Sequence, residues 1–218
     1  KKENISFSVP TGNFGDIYAG YVAKKMGLPI NKLIVATNEN DILQRVINTG
    51  EYKPEKVKHS ISPSMDIQVA SNFERLLFYV VDQDDQKVSL LMNDLSKKGS
   101  FRLNQSEIKE IKKDFEAIRI NEEETQSIIK NIDDEFQFII DPHTATGFGA
   151  ARKVKGLENI VVLGTAHPFK FNDTIKQAIG KKLEAPSYLK LQVDKKEEFD
   201  IIENSNSQVK NYILSKIT

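Results

Sequence analysis

Two polar segments sit directly after apolar runs and carry residue types suited to holding an anionic ligand. The first is Val9-Pro10-Thr11-Gly12-Asn13-Phe14-Gly15-Asp16, between an apolar run at 5–9 and an amphipathic helix pattern at 17–26. The first amides of a helix have no partner inside it, and the summed peptide dipoles leave positive charge there. A phosphate at that end gains several charge-assisted hydrogen bonds, each worth about 1.5–3 kcal/mol. Gly12 and Gly15 lack Cβ, so they are expected to let the backbone reach positive φ and bring oxygens close to amide nitrogens. The spacing leaves a plainer reading open, an ordinary tight turn with Asn13 or Asp16 capping the helix. The second segment, Thr165-Ala166-His167-Pro168, follows the apolar run 159–164. Ligands bind beyond the carboxyl ends of parallel strands, so two such segments at one sheet edge would face a common ligand.

Other chemistries lack their residues. Neither segment ends in the Gly-Lys-Ser/Thr of a nucleoside-triphosphate loop, and no acidic residue stands at the Rossmann position in a convincing strand context, which points to a phosphorylated ligand other than a nucleoside triphosphate. His59, His143 and His167 form no pair at metal-ligand spacing, so no metal site is expected. Asp141 with His143 reads as a helix-cap arrangement that orders a loop, and His167 as the anchor of a turn through Pro168. There is no cysteine, which excludes disulfides and thiolate chemistry, and no serine nucleophile elbow. Basic and acidic residues both number 31, so no overall field favours nucleic acid. No apolar run approaches the roughly 20 residues that span a bilayer, and the chain reads as cytoplasmic. It opens without Met and almost directly on a strand, so further sequence is expected before Lys1.

The elements that must position these segments follow an α/β rhythm. Residues 32–37 form a nearly continuous apolar run, as a strand buried on both faces does, and complete a β-α-β unit with the first strand and helix. A helix is expected over 38–48, capped by Asn38 or Asn40 and ended by Gly50. Residues 51–66 hold Pro54, His59 and Pro63 without periodicity and read as a long loop of functional interest. Helical patterns then occupy 70–81, 88–98 and 105–115, making 51–135 a mainly helical segment broken by a short strand at 117–120. Asn121 followed by three glutamates marks a helix running to about 134, and Pro142 suits a first helical turn after an Asp141 cap. Residues 159–164 are the third buried-strand run, 172–179 another helix, and 181–218 a weakly patterned tail. The expected fold is an open, mainly parallel sheet with flanking helices, incomplete in this chain, with one domain over 1–180.

Four segments together resemble one family. Val9 to Asp16, Ser64-Met65-Asp66-Ile67 with Ser71-Asn72-Phe73-Glu74-Arg75, Asp141-Pro142-His143-Thr144-Ala145, and Gly164-Thr165-Ala166-His167-Pro168 resemble threonine synthase of the bacterial and fungal type, in the family's order. The resemblance implies a fold-type II enzyme that uses pyridoxal 5'-phosphate to convert O-phosphohomoserine and water into threonine and phosphate. It assigns Gly12, Asn13, Phe14 and Gly15 to the cofactor phosphate and Thr165 to the pyridine nitrogen. It places Ser64, Asp66, Asn72 and Arg75 near the substrate, with Arg75 as a phosphate clamp or, equally, a residue on a solvated helix face. Asp66 is equally a cap for the next helix. In that family the Schiff-base lysine lies upstream, in a Phe-Lys-Asp type setting that this chain lacks, and Lys170 matches no such role. The chain is therefore read as the C-terminal part of such an enzyme, inactive alone. The alternatives are a non-catalytic phosphate-ligand module and another fold-type II enzyme such as a serine or threonine dehydratase.

Overall fold

A computed structural model describes residues 5–193 and 195–217, divided into a unit ending at Leu183 and a unit beginning at Glu184. The first unit opens with β1 (Ile5–Pro10), α1 (Gly15–Lys25), β2 (Ile30–Thr37), α2 (Ile42–Thr49) and β3 (Glu51–Tyr52). A 3-10 turn (Pro63–Met65) leads to α3 (Phe73–Val80), α4 (Asp85–Lys98), β4 (Phe101–Arg102), α5 (Gln105–Asp114) and β5 (Phe115–Arg119). Then come α6 (Glu122–Phe136), α7 (Pro142–Lys153), β6 (Ile160–Val162), a second 3-10 turn (Pro168–Phe171) and α8 (Asn172–Ile179). In the second unit α9 (Ser187–Val193) and α10 (Asn206–Ile217) are helical, although the sequence there shows little pattern.

The α/β architecture is as expected, a parallel sheet in the order β5-β2-β1-β6 with flanking helices. Alternation along the central strand builds two cores. Leu33 and Val35 of β2 pack into a cluster with Phe14, Ile17, Leu43 and Phe73, while Ile34 and Ala36 pack into another with Ile129, Ala145 and Ile175. The continuous apolar run is therefore two buried faces read in alternation.

Several local expectations are corrected. Residues 159–164 do not form a strand buried on both faces: among the described residues β6 is an edge strand paired with β1 alone, and Val161 is 43% exposed. Within 51–135 the strand expected near 117–120 is β5, which joins the main sheet, but the antiparallel pair of β3 with β4 is unexpected. Tyr52 stacks on Phe101 at 4.7 Å, a contact between residues far apart in sequence that no local periodicity reports. Neither Asn38 nor Asn40 caps α2, whose N-cap residue, Asp41, makes no side-chain capping bond. Their amides turn instead to residues 58–66.

One contact ties the sheet to α7. A Cβ at Gly147 would meet Val162 Cγ1 at 2.9 Å and Pro10 at 3.3 Å, so the helix backbone rests directly on β1 and β6. Ser8 Oγ donates to Gly147 O at 2.7 Å across the same contact.

Candidate functional site

The chain leaves β1 under tight control. Thr11 donates its amide to Ala36 O at 2.8 Å and its hydroxyl to Val9 O at 2.6 Å. Three residues later Phe14, the N-cap residue of α1, adopts φ 64, a left-handed conformation rare for an aromatic residue. Its ring is fully buried, edge-on to Phe73 at 5.3 Å and tilted against Phe115 at 5.5 Å. Burial of a phenyl ring contributes about 1.5–3 kcal/mol, comparable to the 1–3 kcal/mol cost of the unusual backbone. Gly12 and Gly15, expected to supply the positive φ, do not; Phe14 does. Gly12 is required for another reason, since a Cβ there would meet Ser64 O at 2.8 Å and Met65 Cα at 3.1 Å.

No side chain caps α1, which corrects the expectation for Asn13 and Asp16. Asn13 Oδ1 accepts from Ser71 N at 2.6 Å and Ser71 Oγ at 2.9 Å, and its carbonyl accepts from Asn72 Nδ2 at 3.0 Å. Among the described residues, the amides of Gly12, Asn13, Phe14 and Gly15 donate to nothing. They are the orphan donors of a helix N-terminus. They open on a cleft of about 310 Å³ lined also by Asp16, Ser64, Met65, Asn72, His143, Thr165 and Ala166. No Lys or Arg lines it, so attraction for an anion comes from oriented amides rather than from side-chain cations.

The cleft gathers most of the residues singled out from sequence. Thr165, just beyond β6, is exposed to it, and its hydroxyl has no partner among the described residues. Ser64 and Asn72 also line the cleft, beside Gly12 and Asn13. Asp66 does not line it and caps no helix start. Its carboxylate accepts from Asn38 Nδ2 at 2.8 Å, Asn40 Nδ2 at 3.0 Å, and Ser60 N and Oγ at 2.9 and 2.5 Å, which braces the Pro63–Met65 turn from behind. Arg75 faces a separate hollow with Tyr18 and Glu74, its guanidinium 6.0 Å from the Tyr18 ring centre. Lys170 and His59 are exposed and outside the cleft, and His167 Nδ1 accepts from Phe169 N at 3.1 Å to start the second 3-10 turn.

His143 is the cleft residue that sequence reasoning gave only a loop-ordering place. Its imidazole is 2% exposed, with Nδ1 2.9 Å from Asp141 Oδ1 and Phe171 4.8 Å away. Asp141 also accepts from the amides of His143 and Thr144 and from the Thr144 hydroxyl, capping α7 with Pro142 at its first position. Burial pushes the Asp141 carboxyl up, but the hydrogen bonds from His143 and Thr144 outweigh it and hold it below the usual carboxylate range.

Comparison with known proteins places this geometry. A family model described as "Threonine synthase, C-terminal" matches residues 144–213. Threonine synthase from Pseudomonas aeruginosa is 38% identical over 213 residues, covering 96% of this chain and 45% of that protein. The crystal structure of a pyridoxal-phosphate-bound threonine synthase from Brucella melitensis superposes with a TM-score of 0.90 at 44% identity, covering 97% of this chain and 46% of that one. The chain belongs to the threonine synthase family. The yeast threonine synthase structure agrees, with a TM-score of 0.86 and 39% identity over 98% of this chain and 47% of its own. The chain thus spans about half the length of the threonine synthases it matches. The family model includes Thr165 but not the loop at 11–16, which the matches to whole threonine synthases reach instead, at 96% and 97% of this chain. No helix among the described residues is long and apolar enough to cross a membrane.

Proposed function

We propose that this chain is the C-terminal part of a threonine synthase that converts O-phospho-L-homoserine and water into L-threonine and inorganic phosphate with pyridoxal 5'-phosphate. One observation carries the reading: four unpartnered amides at the N-terminus of α1 and the unpartnered Thr165 hydroxyl open on the same cleft. That donor set fits the cofactor at both ends. The amides of Gly12, Asn13, Phe14 and Gly15 would hold its phosphate, where the close approach of Gly12 to the Ser64 turn shapes the rim. Thr165 would offer its hydroxyl to the pyridine nitrogen.

When bound, the cofactor supplies an electron sink for the charge left as a substrate C–H bond breaks. A neutral hydroxyl at the ring nitrogen stabilises a protonated ring less than a carboxylate does, so Thr165 moderates that withdrawal. Ser64 and Asn72, which line the cleft beside the loop, would orient the polar groups of the substrate. Asp66 acts through the turn it braces, and Arg75 is outside the cleft. No lysine lines the cleft, so the reading places the lysine that carries the cofactor outside this chain.

Two measurements test the proposal. Titration of the chain with inorganic phosphate or pyridoxal phosphate should give weak binding, with amide resonances of residues 12–15 shifting most. The full-length parent should release phosphate from O-phosphohomoserine, whereas the chain alone should not. Phosphate that leaves those amides unmoved, or a parent without that activity, overturns the assignment. Tight binding by the chain alone favours a non-catalytic ligand module instead.

A further inference from the structure

The Pro63–Met65 turn has an unusual N-terminal cap. Ser62 occupies the cap position but makes no capping bond, because its hydroxyl accepts from Asn38 Nδ2 at 3.1 Å. The Ser64 amide, an orphan donor of this short helix, donates instead to Nε2 of His143 at 3.2 Å, across 79 residues of sequence. A nitrogen that accepts from an N–H carries no proton of its own. The neutral imidazole is therefore protonated at Nδ1, and that proton is directed at Asp141 Oδ1, 2.9 Å away. Asp141 fixes the tautomer, and the tautomer leaves the Nε2 lone pair for Ser64. The turn so held presents Ser64 O to Gly12, at the edge of the loop that carries the free amides.

We infer that His143 is a positioning residue of this cleft: through Nε2 it holds the Pro63–Met65 turn against the Gly12 loop and so sets the rim of the phosphate site. The inference rests on the phosphate reading of the cleft, and it is distinct from the cap that Asp141 places on α7. Both ring nitrogens are engaged, one by Ser64 and one by Asp141, so His143 holds its wall of the cleft without serving as a free base.

Two isosteric changes separate the roles. His143→Gln places an amide oxygen near the Nε2 position and keeps an acceptor for Ser64. His143→Asn places an amide near the Nδ1 position and keeps a donor for Asp141. Inorganic phosphate is titrated into the full chain and each variant, following the amides of residues 12–15, with thermal unfolding recorded alongside. Loss of the acceptor frees the Ser64 amide and with it the turn, so His143→Asn should bind phosphate about tenfold more weakly, whereas His143→Gln should stay within about threefold of the parent. If the residue served only to secure the α7 cap, the order would reverse, since Asn retains the Asp141 bond. Equal or reversed affinities overturn the inference. The nitrogen resonances of His143 give a readout independent of phosphate: an unprotonated Nε2 is expected, and a protonated Nε2 overturns the inference. If the parent chain shows the expected tautomer but no phosphate response, the phosphate reading fails instead, and with it the role assigned to the turn.

Discussion

The loop after β1 and the loop after β6 face one cleft but are secured in opposite ways. From Thr11 to Asn13 the first is bonded to β2 and to residues 71–72, and Phe14 is sunk into the core. The second leaves an edge strand, its Thr165 is exposed, and a Cβ at Gly164 would meet nothing closer than Thr144 Oγ1 at 3.9 Å. The difference separates two tasks. Binding a phosphate through amides needs several donors aimed before the ligand arrives, because each amide that must reorganise subtracts from the affinity. A single hydroxyl turns about its own bond, so it needs only a location.

This contrast can be broken most forcefully at Phe14. Phe14→Ala should cost about 3–5 kcal/mol in urea unfolding and abolish the phosphate response of residues 12–15. Should Phe14→Ala leave too little folded chain, Phe14→Leu retains most of the apolar bulk and should weaken phosphate binding with a smaller loss of stability. An intact phosphate response in either folded variant would show that the ring does not aim the amides. Next in size is Gly12→Ala, where the added methyl meets backbone atoms of the opposing turn; overpacking of this kind costs about 1–3 kcal/mol and should weaken phosphate binding.

Asp141→Asn should cost about 1 kcal/mol at neutral pH, the difference between charge-assisted and neutral hydrogen bonds from His143 and Thr144, read by thermal unfolding. Its folded carboxyl is held below the unfolded value, so it contributes stability above a pH of about 4 that is lost as pH falls through the folded value. The gap between the parent and Asp141→Asn should therefore narrow on acidification, and a constant gap would refute that electrostatic account. Thr165→Val sharpens the comparison from the other side: stability should change by no more than about 0.5 kcal/mol and inorganic phosphate affinity should not change.

The sequence announced the parallel architecture because alternation, apolar runs and glycine stops are local. Leu33 to Ala36 and the Asn121–Glu124 capping box report their state within a few residues. The phosphate turn was visible for the same reason, although the residue that bends it was misassigned: a positive φ suggests glycine, and only the burial of Phe14 among Phe73 and Phe115 explains an aromatic there. What the sequence hid is non-local. Asp66 finds its donors on Asn38 and Asn40, His143 meets Ser64 across the sheet end, and the Arg75 helix turns its guanidinium toward Tyr18 instead of the cleft. Spacing along the chain carries no record of those partners.

The bare backbone at Gly147 turns α7 into a brace beneath the two loops. With Pro10 at the end of one strand and Val162 on the other both touching the position where a methyl would sit, one helix is seated on two neighbouring strands whose spacing the β1–β6 ladder sets. A ligand that reaches from the amides of one loop to the hydroxyl of the other is thus measured against a rigid length. Because the histidine that tunes the third wall rides on the N-terminal turn of the same helix, a shift of α7 would alter all three walls together.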